Sequence, residues 1–141
     1  LEDAQKAEKV LGEYELYRAQ AEVYKQNVEL LTANITELTI VRDSLDQIKD
    51  LKKDNEVLVP IGAGSFVRAR IIDVEKVVVG LGADVSVKKD IPAAKVDLEN
   101  RIKEMEKLRA EQSEKLQFVL SKIEELTPKV QEILTKLQKE G

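Results

Sequence analysis

The chain of 141 residues contains no cysteine, no histidine and no tryptophan. Without cysteine there is no disulfide framework, no thiol nucleophile and no cysteine-ligated zinc or iron–sulfur site, which fits a reducing compartment. Without histidine or cysteine, acidic pairs such as Glu124 and Glu125 have no catalytic partner; they point to neighbouring parts of a helix surface rather than into one cleft. No cofactor is expected. Aromatic residues make up 4% against 35% for charged ones, poor material for a compact core and better suited to an elongated helical protein. The net charge of −4, with mixed signs along the chain, argues against a nucleic-acid partner. No apolar run reaches the roughly 18 residues of a membrane span, and the first residues, LEDAQKAEKV, lack the basic and apolar regions of a signal peptide. The expectation is a cytoplasmic protein without a membrane partner; abundant Glu and Lys would suit a thermophile.

What is present is periodicity. Val10, Tyr14, Tyr17, Ala21, Tyr24, Val28, Leu31, Ile35 and Leu38 alternate spacings of three and four, the mark of a coiled-coil seam. Beyond Leu38 the next four-spaced position is Arg42, whereas Val41, Leu45, Ile48 and Leu51 restore an apolar stripe, which predicts a stammer near Leu38 to Val41. A second seam runs through Leu98, Ile102, Met105, polar Arg109 and Gln112, then Leu116, Val119, Ile123, Leu126, Val130, Ile133 and Leu137. Folded back on each other, the two seams match where residue numbers sum to roughly 143, as equal rise per residue requires. Val10 then meets Ile133, Tyr24 meets Val119 and Leu45 meets Leu98, in a rod on the order of 75 Å long with both chain ends at its tip.

Between the seams the period changes to that of strands, at 56–61, 65–73, 76–80 and 84–88. Gly62-Ala63-Gly64, Asp73 to Lys76, and Gly80-Leu81-Gly82 are the expected reversals, giving two hairpins. Ala83, Val85 and Val87 should share one buried face, and Val67, Ala69 and Ile71 another. The fold class is therefore mainly α with a β insert: an antiparallel two-helix coiled coil with two β-hairpins at the bend. Its parts are a coiled-coil arm at 1–55, a double hairpin at 56–89 and a second arm at 90–141. Asp54 and Asn55 should stop the first helix, Asp90 should cap the second, and Pro128 should kink the second or restart it with Thr127 as cap. Sheets this small need neighbours, and the same element in other subunits is the natural one. Val57, Val59, Ile61, Phe66, Val67, Ile71, Val77, Val78, Val79, Val85 and Val87 are the expected assembly residues. The glycines echo nucleotide-binding loops but lack the following helix and the P-loop lysine.

LVPIGAGSF, Leu58 to Phe66, followed by KVVVGLGADVSVKK, Lys76 to Lys89, between two coiled-coil arms, resembles the α class of the prefoldin family, in its archaeal form. The resemblance implies a hexamer of two α-type and four β-type subunits joined through their hairpins. It implies an ATP-independent, non-enzymatic holdase that captures unfolded proteins at coiled-coil tips and passes them to a group II chaperonin. Apolar residues at the tip are then the expected client contacts: Leu11, Leu16 and Leu134 off the seam, and Val10, Val130, Ile133 and Leu137 on it where the last turns splay. The alternative is a structural scaffold or filament protein whose hairpins polymerise while the arms act as spacers.

Overall fold

The computed structural model describes residues 2–140; Leu1 and Gly141, the outermost residues of the two expected arms, lie outside them. The order is helix α1 (Glu2–Lys49), strands β1 (Glu56–Gly62), β2 (Ser65–Arg70), β3 (Lys76–Gly82) and β4 (Val85–Asp90), and helix α2 (Ile91–Glu140). Residues divide into two compact units. One holds α1 up to Asn34 and α2 from Met105 onward; the other holds residues 35–104.

In the first unit the predicted seam positions are covered, except Leu137, which is exposed. Val119, Leu126 and Val130 are buried, and Val10, Tyr14, Tyr17, Ala21, Tyr24, Val28 and Leu31 are half-buried. The helices run antiparallel. Asn27 Nδ2 donates to Gln112 Oε1 at 2.9 Å, and Arg109 Nη1 donates to Thr32 Oγ1 at 3.4 Å. Polar Arg109 and Gln112 thus have partners across the seam, which fixes the register of a stretch that apolar contacts alone would leave free to slide. The helix runs on through Pro128 and does not restart there. Thr127 is no cap: its hydroxyl donates to the Ile123 carbonyl at 2.7 Å, one turn back within the same helix.

The second unit is built on Leu45, Ile91 and Ala94, all buried, with Ile48, Val77, Val79 and Leu98 packed around them. No stammer precedes Leu45. Leu38 and Arg42 are half-buried while Val41 is 43% exposed, so the three-four spacing continues through Arg42. An arginine stem is long enough to line a seam and carry its charge outward, and here Arg42 Nε reaches Asp43 Oδ1 at 3.5 Å. Lys95 Nζ donates to Asp46 Oδ1 at 2.7 Å across the helices; that hydrogen bond holds the Asp46 carboxyl below its usual range and raises Lys95. Helix α1 ends at Lys49, before the expected Asp54 and Asn55. Those two residues instead tie the loop to the end of β2. The Asp54 amide donates to the Ile71 carbonyl, the Ile71 amide donates to the Asn55 carbonyl, and Asn55 Oδ1 accepts from the Lys52 amide.

The four strands form two separate antiparallel pairs, β1 with β2 and β3 with β4. Residues 56–70 and 76–90 repeat at an offset of twenty. Val57 answers to Val77, Val59 to Val79, Gly62 to Gly82, Ala63 to Ala83 and Val67 to Val87. Register repeats too: Val59 faces Val67 and Val79 faces Val87, and both strands bulge before the turn, at Ile61 and Leu81. Each turn has two central residues at positive φ, Ala63 and Gly64 in one, Ala83 and Asp84 in the other, as two-residue hairpins require. The second turn therefore lies at Ala83-Asp84 rather than at Gly80-Leu81-Gly82, and Ala83 belongs to no strand face. Strand β2 stops at Arg70, so Ile71 is outside the sheet.

Candidate functional site

Two places offer apolar surface to a partner. The first is the space between the ends of the helices, a hollow of about 530 Å³ in the first unit. Its floor is Ala4, Ala7 and Val10 from α1 with Ile133 and Leu137 from α2; its rim is charged, with Asp3, Lys6, Lys129, Glu132, Lys136 and Glu140. The cause is residue size. Alanines stand where the seam farther along α1 carries tyrosine and valine, so Ile133 and Leu137 have too little side chain opposite them to close the gap.

Of the expected tip residues, Val10, Ile133 and Leu137 come together in this hollow. Val130 is buried between the helices, Leu11 is half-buried, and Leu16 and Leu134 are exposed away from the hollow. Ala4 and Ala7 were missed, although Ala7 continues the three-four spacing back from Val10; alanine in a charged segment is a weak apolar signal.

The second place is the hairpin pair. Each hairpin has only two strands, so every strand has one edge without a strand partner among the described residues. Val59, Ile61, Phe66, Val67, Val78 and Val85 are exposed, whereas Val57, Ile71 and Val87 are half-buried. Val77 and Val79 pack inward on the Leu45 cluster. Leu58, Ile72 and Leu81 are exposed as well, outside the expected assembly residues. The twenty-residue offset would have found two of them, since Leu58 answers to Val78 and Leu81 to Ile61.

A scan against known families matches residues 17–136 to Prefoldin, described as Prefoldin subunit. The chain belongs to the prefoldin family. It is thereby a prefoldin chaperone subunit, and the match takes in both hairpins and most of both helices. "Prefoldin subunit alpha 1" of Thermococcus kodakarensis is 41% identical over 103 residues, 73% of this chain and 70% of that protein. "Prefoldin subunit alpha" of Pyrococcus horikoshii is 35% identical over 130 residues, 92% of this chain and 88% of that protein. Among solved structures, filamentous PFD from Methanocaldococcus jannaschii, determined by cryo-EM, superposes with a TM-score of 0.71 at 27% identity, covering 84% of this chain and 98% of that one. The resemblance carried by Leu58–Phe66 and Lys76–Lys89 thus leads to the same family and to its alpha kind. Among the described residues, no helix is long and apolar enough to cross a membrane.

Proposed function

We propose that this prefoldin subunit is a cytoplasmic, ATP-independent and non-enzymatic holdase component. It assembles through its hairpins with β-type subunits, two α with four β, captures unfolded proteins at its helix ends, and hands them to a group II chaperonin. The observation that carries the capture step is the hollow at the helix ends, with an apolar floor of Val10, Ile133 and Leu137 inside a rim of both charges. Such a surface takes apolar segments while its rim keeps the free protein soluble. Assembly is supported by the unpaired edges of two sheets too small to be stable in isolation.

The deciding experiment is the mass of the chain alone and mixed with a β-type prefoldin subunit, followed by aggregation of a chemically unfolded protein without ATP. A discrete hexamer that suppresses aggregation is expected. Leu134→Ser with Leu137→Ser, both at exposed positions, should weaken suppression without dispersing the hexamer. A second reading, an open filament built through the hairpins, is favoured by the likeness to a filamentous PFD. Polymers of growing mass that ignore the β-type subunit and leave aggregation unchanged would select it.

A further inference from the structure

Helix α1 has apolar residues on two sides. Besides the seam, Leu16, Val23 and Leu30 recur every seven residues, and beside them, at spacings of three and four, runs a second row of Gly12, Ala19, Gln26 and Ala33, small except at Gln26. Each residue turns a helix by about 100°, so this second stripe lies on the order of 160° around from Tyr14, Tyr17, Ala21 and Tyr24, on the side of α1 away from α2. Leu16, Val23 and Leu30 are 57%, 54% and 62% exposed. The matching side of α2 carries one exposed aromatic, Phe118, and is otherwise without an apolar row: Ser121, Glu125, Pro128, Glu132 and Thr135. Only α1 therefore has the heptad pattern of a helix that meets a second partner.

Charge says what kind of partner. Glu8, Glu15, Glu22 and Glu29, also seven apart, line one margin of the stripe, and none of them is in an ion pair among the described residues. The other margin is Glu13, Gln20, Asn27 and Asn34, and Lys9 stands at the end of the Leu16, Val23 and Leu30 row itself; Lys25 and Arg18 lie beyond the glutamates toward the seam, Arg18 over the Tyr14 ring. A second copy laid antiparallel on the stripe would set one glutamate row against the other, an unfavourable like-charge juxtaposition. A segment with lysine or arginine beside its apolar residues meets carboxylates instead.

We infer that the outer face of α1, Leu16, Val23 and Leu30 with their glutamate margin, docks client segments that are amphipathic and basic. This rests on the holdase reading and names the client class. It adds a contact surface that the hollow at the helix ends does not contain.

The test uses the full chain and two fluorescent peptides with the same leucines at helical spacing, one flanked by lysines and the other by glutamates. The lysine peptide should bind at least about tenfold more tightly than the glutamate peptide, and added salt should reduce the difference. Val23→Ser with Leu30→Ser should weaken the lysine peptide by at least about tenfold with helix content unchanged. Glu15→Gln with Glu22→Gln should weaken it less. Equal binding of the two peptides, or a serine variant at Val23 and Leu30 that binds as well as the parent, overturns the inference. Failure of the holdase reading shows separately, as loss of aggregation suppression by the parent chain itself.

Discussion

The two hairpins are near copies in sequence and register, yet they are held differently. In the second, Val77 and Val79 pack on the cluster of Leu45, Ile91 and Ala94; in the first, Val57 and Val59 are not part of that cluster, and Val59 is 43% exposed. A second difference is Pro60, whose counterpart is Gly80. Proline has no N–H to offer a neighbouring strand and is confined to edges and bulges, whereas glycine retains the donor. One local pattern therefore serves two ends: a hairpin fixed to the helices with its full set of backbone donors, and a looser one with a donor missing. The distinction comes from what surrounds each copy.

The largest expected effect breaks the anchor. Leu45→Ala removes a buried side chain at the centre of the cluster, which should destabilise the chain by about 2–5 kcal/mol in a denaturant titration. Amide exchange should accelerate at Val77 to Val79 far more than at Val57 to Val59; equal acceleration in both hairpins would mean that they are held alike. Next comes the donor. Gly80→Pro should reduce co-assembly with a β-type subunit by about tenfold, the loss of roughly one hydrogen bond, whereas Pro60→Gly should leave it intact or strengthen it. The mass distribution over a concentration series reads both, and an unchanged Gly80→Pro assembly would show that the β3 edge takes no strand.

Much of this was open to the eye in the sequence. Apolar residues at three and four placed the seams, because a helix pair leaves few other positions dry, and the motif at Leu58–Phe66 led to the family. The misreadings share a cause: a residue type was taken at its usual value. Arg42 was discounted as charged, although its stem lines the seam. Gly80 and Gly82 drew the second turn to themselves, although Ala83 and Asp84 adopt positive φ. Thr127 before Pro128 looked like a cap, although its hydroxyl has an acceptor inside the helix. The apolar outer face of α1 was glimpsed only in Leu16, because a second stripe shows itself only once the residues covered by the first are known.

The turns provide a sharper comparison. Alanine at positive φ is strained by about 1 kcal/mol, and both hairpins carry one, Ala63 at 49° and Ala83 at 49°. Asparagine tolerates that conformation, so Ala63→Asn and Ala83→Asn should each raise stability by about 0.5–1 kcal/mol in thermal unfolding. Equal gains support the equivalence of the two turns. A gain confined to one would show that the repeat stops at the backbone.

The smallest effect separates the approaches to the two hairpins by pH. Ahead of β3, Asp73 Oδ1 accepts from the amides of Glu75 at 2.9 Å and Lys76 at 3.1 Å. Those hydrogen bonds to the ionised form, with Lys88 and Lys76 nearby, hold the Asp73 carboxyl below its usual range. Ahead of β1 the corresponding acceptor is an amide, Asn55 Oδ1 to the Lys52 N–H, which does not titrate. A carboxyl with a lowered folded pKa contributes stability that is present above its unfolded pKa, near 4, and is lost as pH falls through the folded value. Amides at the start of β3 should thus exchange faster, relative to those at the start of β1, as the solution is acidified below about pH 4. Asp73→Asn keeps the acceptor oxygen and removes the titration, so the ratio should become flat with pH. Asp46, lowered by Lys95, titrates in the same direction but lies on α1 in both proteins and cancels in the comparison. An unchanged acid response in Asp73→Asn would show that Asp73 does not set the difference and leave the two approaches alike.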